Sequence, residues 1–344
     1  MTASTSRSAL IIGAGLAGLS CASTLTVAGW TVTLLDKGRG PGGRLATRRV
    51  TDQPFDTGAQ FFSVRDGCFG SAVQQWTAAG VVREWCAGFP ALGQPHEAGD
   101  GHPRYLAVGG MNRLAKHLAQ GFDLRARHTA TKLVQVGDSW QVHAENPDLP
   151  GQPQTLTSDA VVLTAPGPQT ARLLEFSGLP VDPRLAAVRY AECCCLLLDF
   201  PEAVDAVLPM PGGLRVVDDA VVTWIASQRR KGLRATGSTG DGLVVHTSPA
   251  WSSQHFSATD DDVLAAVMPA VTAVLRRAGI TATPSTVHLK KWRYSLPTVL
   301  MDEPCLRVDT SAALLIAGDS CGGRPRMEGA WLSGRAAAEL LISG

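Results

Sequence analysis

The stretch from Ala9 to Asp36, ALIIGAGLAGLSCASTLTVAGWTVTLLD, limits what this chain can fold into more than any other. Leu10, Ile11 and Ile12 form a short apolar run of the kind a buried parallel strand needs. Gly13, Gly15 and Gly18 follow as G-x-G-x-x-G. The first glycine allows a tight turn, the second lets a pyrophosphate approach the backbone, and the third lets a helix pack closely on the strand. Ala17 sits in the first turn of that helix, whose N-terminus offers free N–H groups and a positive dipole end to phosphates. Gly29 can end the helix, Thr31–Leu35 reads as a second strand, and Asp36 closes it eighteen residues after Gly18. A carboxylate there can accept both hydroxyls of an adenosine ribose and would repel a 2′-phosphate. Glycine turns are common, but in this strand–turn–helix–strand setting the motif predicts dinucleotide binding rather than an ordinary βαβ unit.

At 344 residues the chain suggests two domains, and a net charge of +1 gives no reason to expect nucleic acid or an anionic membrane as partner. The apolar N-terminal run is broken by glycine and is explained as βαβ, so neither a signal peptide nor a membrane span is expected. Eight cysteines without paired spacing, three of them adjacent (Cys193, Cys194, Cys195), fit neither a disulfide framework nor a metal site. On an apolar strand they serve as small core residues, and a reducing, cytoplasmic setting is expected. No internal repeat appears.

Directly after Asp36 a second glycine cluster (Gly38, Gly40, Gly42, Gly43) carries Lys37, Arg39 and Arg44. It either wraps backbone and guanidinium groups around a seated cofactor or is a flexible basic loop. In FDTGAQFFSVRD (Phe55 to Asp66), Asp56, Gly58, Ala59 and Gln60 read as a loop bringing backbone close to a flat ring, or as a plain turn into a helix. From Gly70 to about Gly101, Trp76 and Trp85 stand at helical spacing ahead of a Gly/Pro-rich loop, assigned to a second domain. An amphipathic helix follows Gly109-Gly110-Met111, with Leu114 and Leu118 inward. Thr129 to Leu133, a turn at Gly137-Asp138 and Ser139 to Glu145 predict a hairpin or meander. Val161 to Leu163 is a buried strand ending at Ala165-Pro166. Residues 167–285 give strands over Cys193 to Phe200, Val221 to Ile225 and Leu243 to His246. They also give one helix, Asp260 to Arg277, which Pro269 should kink unless the boundary lies elsewhere. Residues 228–234, QRRKGLR, form a basic loop, either solvated or meeting an anionic substrate. By pattern alone His246 is a satisfied structural residue. Leu314 to Ile316 is a last buried strand ending in Gly318-Asp319, and a helix opens near Glu328-Gly329-Ala330.

The pattern of G-x-G-x-x-G, acid and G-G-R resembles the FAD-binding flavoenzymes that include the amine oxidases. With GGRLAT, DTGAQFFSVRD, GGMNRL, TAPGPQ, HTSPAWS, KKWRY, AGDSCGG and MEGAWLSG, spread from residue 11 to residue 338, the chain resembles the renalase family, particularly its bacterial members. The resemblance implies an α/β fold with a Rossmann-type FAD-binding domain and an inserted α+β substrate domain, the two-domain architecture of amine oxidases and p-hydroxybenzoate hydroxylase. It puts residues 1–70, 104–166 and 286–344 in the first domain, and 71–103 and 167–285 in the second. It implies non-covalent FAD, held by Gly13, Gly15, Ala17, Gly18, Asp36, Lys37, Arg39, Gly43, Arg44, Gly58, Ala59, Gln60, Ala130, Ala165, Gly318, Asp319, Glu328, Gly329 and Ala330. The helix opening at Glu328 would point its dipole at the flavin edge that becomes anionic on reduction.

Renalases oxidise the 2- and 6-dihydro isomers of NAD(P) to NAD(P)⁺ and reduce O₂ to H₂O₂, so a dihydronicotinamide dinucleotide and O₂ are the implied partners. Hydride transfer from such a ring needs alignment and aromatic walls rather than a strong base. His246 would orient the carboxamide, with Trp292, Phe61 and Gln60 completing the site. Arg229 and Arg230 are candidates for the substrate phosphates. Two other readings remain: an FAD amine oxidase, and a non-catalytic flavin-bound redox sensor. The chain departs from the family at Phe61, where tyrosine is usual, at Gln228, where asparagine is usual, and in a loop from Gly318 to Glu328 one residue longer. Arg326 stands where monoamine oxidases carry one tyrosine of an aromatic cage, which counts against amine oxidation. Cys321 lies where the family tolerates cysteine without a flavin bond.

Overall fold

The computed structural model describes residues 7–50, 53–94, 101–204, 207–234 and 238–344. Residues 95–100 of the Gly/Pro-rich loop and the first six residues of the chain lie outside that description. The chain divides into two compact units. The first comprises Met1–Gly43, Ala115–Arg189 and Pro297–Gly344, and the second Arg44–Leu114 and Tyr190–Leu296.

In the first unit the apolar runs become a six-stranded sheet in the order Leu306–Arg307, Ala313–Ile316, Ala160–Leu163, Ser8–Ile12, Thr31–Asp36, Asp123–Ala126. All pairs are parallel except the short edge pair. Its central strands are buried on both faces, which is why they read as continuous rather than alternating apolar runs. The registers Ile12↔Leu163 and Leu163↔Ile316 bring three strand ends to one edge of the sheet. The expected meander forms from Thr129–Val136, Ser139–Glu145 and Gln154–Ser158.

The helix Leu16–Val27 is buried from Leu16 to Ala22 because the closing helix, Met327–Ser343, lies directly on it. A Cβ on Gly334 would sit 1.9 Å from the Ala17 carbonyl oxygen, so the crossing requires glycine there. Arg326 begins the closing helix at φ 88° and ψ −165°. That backbone region is used almost only by glycine and costs about 1–3 kcal/mol for other residues. Arg326→Gly should therefore raise the unfolding free energy by about 1 kcal/mol after the extra chain entropy of glycine is subtracted. An unchanged or lower urea midpoint would contradict this.

The second unit is built on a five-stranded sheet in the order Gly213–Arg215, Val222–Ser227, Asp241–Thr247, Arg189–Phe200, Thr286–Val299. One face carries Leu196, Leu198, Ile225, Leu243 and Val245 against Val267, Val271, Val274 and Leu275 of the helix Asp260–Arg277. The period of two sends the alternate residues to the other face, where Cys195, Leu197 and Val244 meet Val50, Phe55 and half-buried Trp292. The helix runs through Pro269 with the boundaries expected from sequence. Trp76 and Trp85, by contrast, do not share a helix. Gly80, at φ 70°, follows the end of Gly67–Ala78, and Trp85 lies on the strand Val82–Cys86.

The divisions fall at different residues from those expected. Residues 44–70 and 104–114 group with the second unit because Thr47–Val50 and Gln53–Asp56 form a ribbon tied to its sheet, and Phe62 bridges Tyr105 on the Val82–Ala107 strand pair. Residues 167–189 group with the first unit, and residues 286–296 belong to the second unit's sheet.

Candidate active site

In the first unit the glycine turn sits at the sheet edge where the strands end. The Gly13 N–H donates to the Leu35 carbonyl at 2.7 Å, and Thr164 Oγ1 donates to Gly13 O at 2.9 Å and Ile12 O at 3.1 Å. A Cβ on Gly18 would lie 1.9 Å from Gly13 O, so helix and turn are in direct backbone contact. Gly15 is different: a Cβ there would meet nothing within 4 Å. It opens the helix Leu16–Val27 without any side-chain cap, which leaves a free approach to uncapped N–H groups.

Asp36 accepts the Ala14 N–H at one carboxylate oxygen and the Gly38 N–H at the other, both at 2.7 Å. The carboxylate is thereby fixed, with lone pairs left for two ribose hydroxyls. The second glycine cluster folds back on the first turn, since the Gly42 N–H donates to Ala14 O at 2.8 Å and Gly43 adjoins Gly15. Lys37 reaches Gln169 Oε1 at 3.1 Å, while Arg39 is exposed. Ala130 is half-buried on its strand, and the Ala165 carbonyl accepts the Thr170 hydroxyl. At the third strand end the Gly318 N–H donates to Ser333 Oγ at 2.9 Å, beside buried Asp319 and Cys321. Burial pushes the Cys321 thiol up to about 12, so it stays protonated at neutral pH. Glu328, Gly329 and Ala330 form the first turn of the uncapped closing helix. The first unit thus gathers Gly13–Gly18, Asp36, Gly43, Gly318–Asp319 and Glu328–Ala330.

The remaining expected residues lie in the second unit. The Ala59 N–H donates to Arg44 O at 2.9 Å, and Trp292 Nε1 donates to Thr57 O at 2.6 Å, which pins the loop after Asp56 to the sheet. Asp56 is the hub. One oxygen accepts Thr47 Oγ1 at 2.6 Å and the Met111 N–H at 2.8 Å, and the other accepts Lys231 Nζ at 2.6 Å. Neither side chain of the Asp56–Lys231 pair is exposed at all. Gln60 is committed to the same network, donating to Asp56 O and Gly58 O while its Oε1 accepts from Lys231.

The basic loop is therefore not solvated. Lys231 and Gln228 are fully buried, Arg234 pairs with Asp199 at 2.7 Å, and Arg229 is held by Ser238 O. The reason is burial of opposite charge: a loop next to Asp56 and Asp199 turns its cations inward. Burial drives the Lys231 ammonium below its ordinary value, and Asp56 opposes that shift.

On the same sheet face Trp224 stands directly opposite His246 across the Val222–Ser227 and Asp241–Thr247 pair. Phe61, Trp85, Phe89 and Trp224 cluster there, with the Phe61 ring 4.7 Å from Phe89 and 5.7 Å from Trp224 between centroids. His246 Nε2 and Trp224 Nε1 are both buried without a hydrogen-bond partner among the described residues. Burial first, and the nearby Lys231 charge second, lower the imidazole to about 4, so His246 is neutral at physiological pH. The face consequently offers aromatic surface, a neutral imidazole, an indole N–H and a carboxylate that is already ion-paired.

Residues 11–75 match an NAD(P)-binding Rossmann-like domain, and residues 77–342 match the flavin containing amine oxidoreductases. The chain belongs to the flavin-containing amine oxidoreductase family. It is an FAD-dependent oxidoreductase. A hydroxyneurosporene desaturase of Rubrivivax gelatinosus is 27% identical over 232 residues, 61% of this chain and 43% of that protein, so the match spans less than half of the relative. Among solved structures, a putrescine oxidase bound to putrescine superposes with a TM-score of 0.70 at 12% identity. The cyclohexylamine oxidase of Brevibacterium oxydans IH-35A does so with 0.70 at 13%, and each match covers 98% of this chain and 99% of the other. Those likenesses establish the two-domain amine oxidase fold.

The first unit's residues fit the FAD of this flavin-dependent family. The open face at Gly15 and the uncapped helix suit the pyrophosphate, and the fixed Asp36 carboxylate suits the ribose. Asp56, Lys231 and Trp224 were not singled out from sequence as a unit, because nothing local marks a lysine in a basic loop as buried.

The neutral His246 has a measurable consequence. Its folded value lies below the unfolded value of 6.5, so the unfolded chain binds more protons between pH 6.5 and 4. Stability should fall as pH drops through that window, by an amount on the order of 2–3 kcal/mol from this residue. His246→Gln should flatten that part of the profile, as urea midpoints across pH 4–7 would register; an unchanged slope would contradict it.

Proposed function

We propose that this amine oxidoreductase is a renalase-type oxidase. It would take a hydride from the 2- or 6-dihydro isomers of NAD(P), release NAD(P)⁺, and pass the electron pair with a proton to O₂ as H₂O₂. The observation that carries this reading is the second unit's sheet face: aromatic walls around a neutral histidine, with its carboxylate locked to Lys231. Such a face suits a flat, uncharged dihydropyridine ring, which loses a hydride without any proton having to be removed from it. An amine substrate must instead be neutral before it reacts, and a base poised near neutral pH serves it better than an imidazole that titrates near 4.

Bound FAD supplies the two-electron acceptor and the route to O₂. Gly13, Gly15, Ala17, Gly18, Asp36, Gly43, Gly318, Asp319, Glu328, Gly329 and Ala330 would hold it non-covalently, with Lys37, Arg39, Arg44, Gly58, Ala59, Ala130 and Ala165 as further contacts. His246 would orient the substrate, and Phe61 and Trp292 would form its walls. Gln60 would act by fixing the Asp56–Phe61 loop, since its side chain is bonded to Asp56, Gly58 and Lys231. The guanidinium of Arg229 is already held by Ser238 O and that of Arg230 meets Met210 Sδ, which makes them weaker partners for substrate phosphates. Eight free thiols support a reducing, cytoplasmic compartment.

The fold shared with putrescine and cyclohexylamine oxidases favours amine oxidation as the second reading. Steady-state peroxide assays separate the two. Peroxide from the 2- or 6-dihydro isomers but not from primary amines is expected. Peroxide from amines alone would overturn the proposal, and none from either set would favour a non-catalytic flavoprotein.

A further inference from the structure

Trp224 Nε1 and His246 Nε2, both on the second unit's sheet face, are buried with no hydrogen-bond partner among the described residues. They are not scattered. Trp224 and His246 occupy one directly opposed cross-strand pair, so both side chains leave the same face of the sheet. Buried polar atoms in native proteins almost always have partners, and two orphans on neighbouring positions mark a place where a ligand completes the bonding. The indole N–H can only donate, while a neutral imidazole has one nitrogen free to accept. We infer that Trp224 and His246 form a donor–acceptor pair that reads a primary carboxamide, Trp224 Nε1 donating to its C=O and His246 Nε2 accepting from its NH₂.

This rests on the dihydronicotinamide reading and goes beyond it by assigning Trp224 and a bonding direction to each atom. The low titration of His246 supports it, because a protonated imidazole could not accept. A carboxamide presents one acceptor and one donor side by side, which complements the pair. An amine presents no carbonyl and leaves Trp224 unsatisfied. The walls of Phe61 and Phe89 beside Trp224 would then hold the ring that carries the amide.

The test is equilibrium binding to the FAD-loaded protein of two probes, NAD⁺ and its 3-acetylpyridine analogue, which keeps the carbonyl and lacks the NH₂. Wild type should prefer NAD⁺ by about 5–10-fold, the scale of one neutral hydrogen bond. His246→Leu should erase that preference, and His246→Gln, whose amide oxygen can accept, should restore part of it. Trp224→Phe should weaken both probes by about 5–10-fold while leaving their ratio unchanged. If wild type binds both probes and His246→Leu keeps the ratio, or Trp224→Phe binds as tightly as wild type, the pair is wrong and the hydride reading stands. If wild type binds neither probe, both fall together.

Discussion

Lys231→Met should lower the unfolding free energy by about 3–5 kcal/mol, the cost of leaving a buried charge without its partner. Asp56 would keep Thr47 and the Met111 N–H as donors but lose the cation 2.6 Å away, in a site where neither side chain is exposed to solvent. Methionine fills nearly the same volume, so the loss would be electrostatic rather than a cavity. The double variant Lys231→Met/Asp56→Asn should recover part of it, because a neutral amide there is no longer an uncompensated charge. Urea unfolding of the single and double variants measures this. A single variant within about 1 kcal/mol of wild type would mean that Asp56 is not the hub described above. The loop carrying Gln60 and Phe61 hangs on the same network, so the single variant should also bind substrate more weakly.

The second large effect separates two glycines that look alike in the sequence. Gly18→Ala drives a Cβ to 1.9 Å from Gly13 O, a backbone overlap with no rotamer to relieve it. It should cost about 3 kcal/mol or more with or without cofactor. Gly15→Ala places its Cβ in open space at an ordinary φ of −76°. The protein should unfold within about 1 kcal/mol of wild type, because the helix never used a side-chain cap at that position. Its FAD affinity should nevertheless fall on the order of tenfold or more, since the methyl group occupies the pyrophosphate's approach. Thermal melts and flavin titration of both apoproteins would decide. Equal stability losses in the two variants would contradict this division of roles.

Much of the first unit was legible because its chemistry is local. The strand, turn, helix and acid from Leu10 to Asp36 lie within one βαβ, and each glycine's purpose follows from its spacing. The strand ends at Ala165 and Gly318 were readable as buried runs that stop, and the parallel registers bring them beside Ile12.

The second unit was legible in its strands and in the helix Asp260–Arg277, but not in its site. A shared helix for Trp76 and Trp85 fails because a nine-residue spacing fits a helix as well as two elements separated by a glycine. QRRKGLR reads as a solvated face until Asp56, 175 residues away from Lys231, is brought to it. Trp224 was invisible for a related reason. An indole on a strand is ordinary core, and only its unpartnered nitrogen opposite His246 distinguishes it. Long-range pairing of charge and of hydrogen-bond vacancies leaves no local sequence signal.

As the renalase-type oxidase proposed above, the chain would accept a hydride from a dihydropyridine rather than electrons from an amine. Anaerobic stopped-flow mixing reads this directly in the flavin's visible absorbance. Rapid bleaching is expected with 2- or 6-dihydro-NAD, and none on the same timescale with putrescine or cyclohexylamine. Bleaching by the amines with the dihydro isomers inert would contradict it.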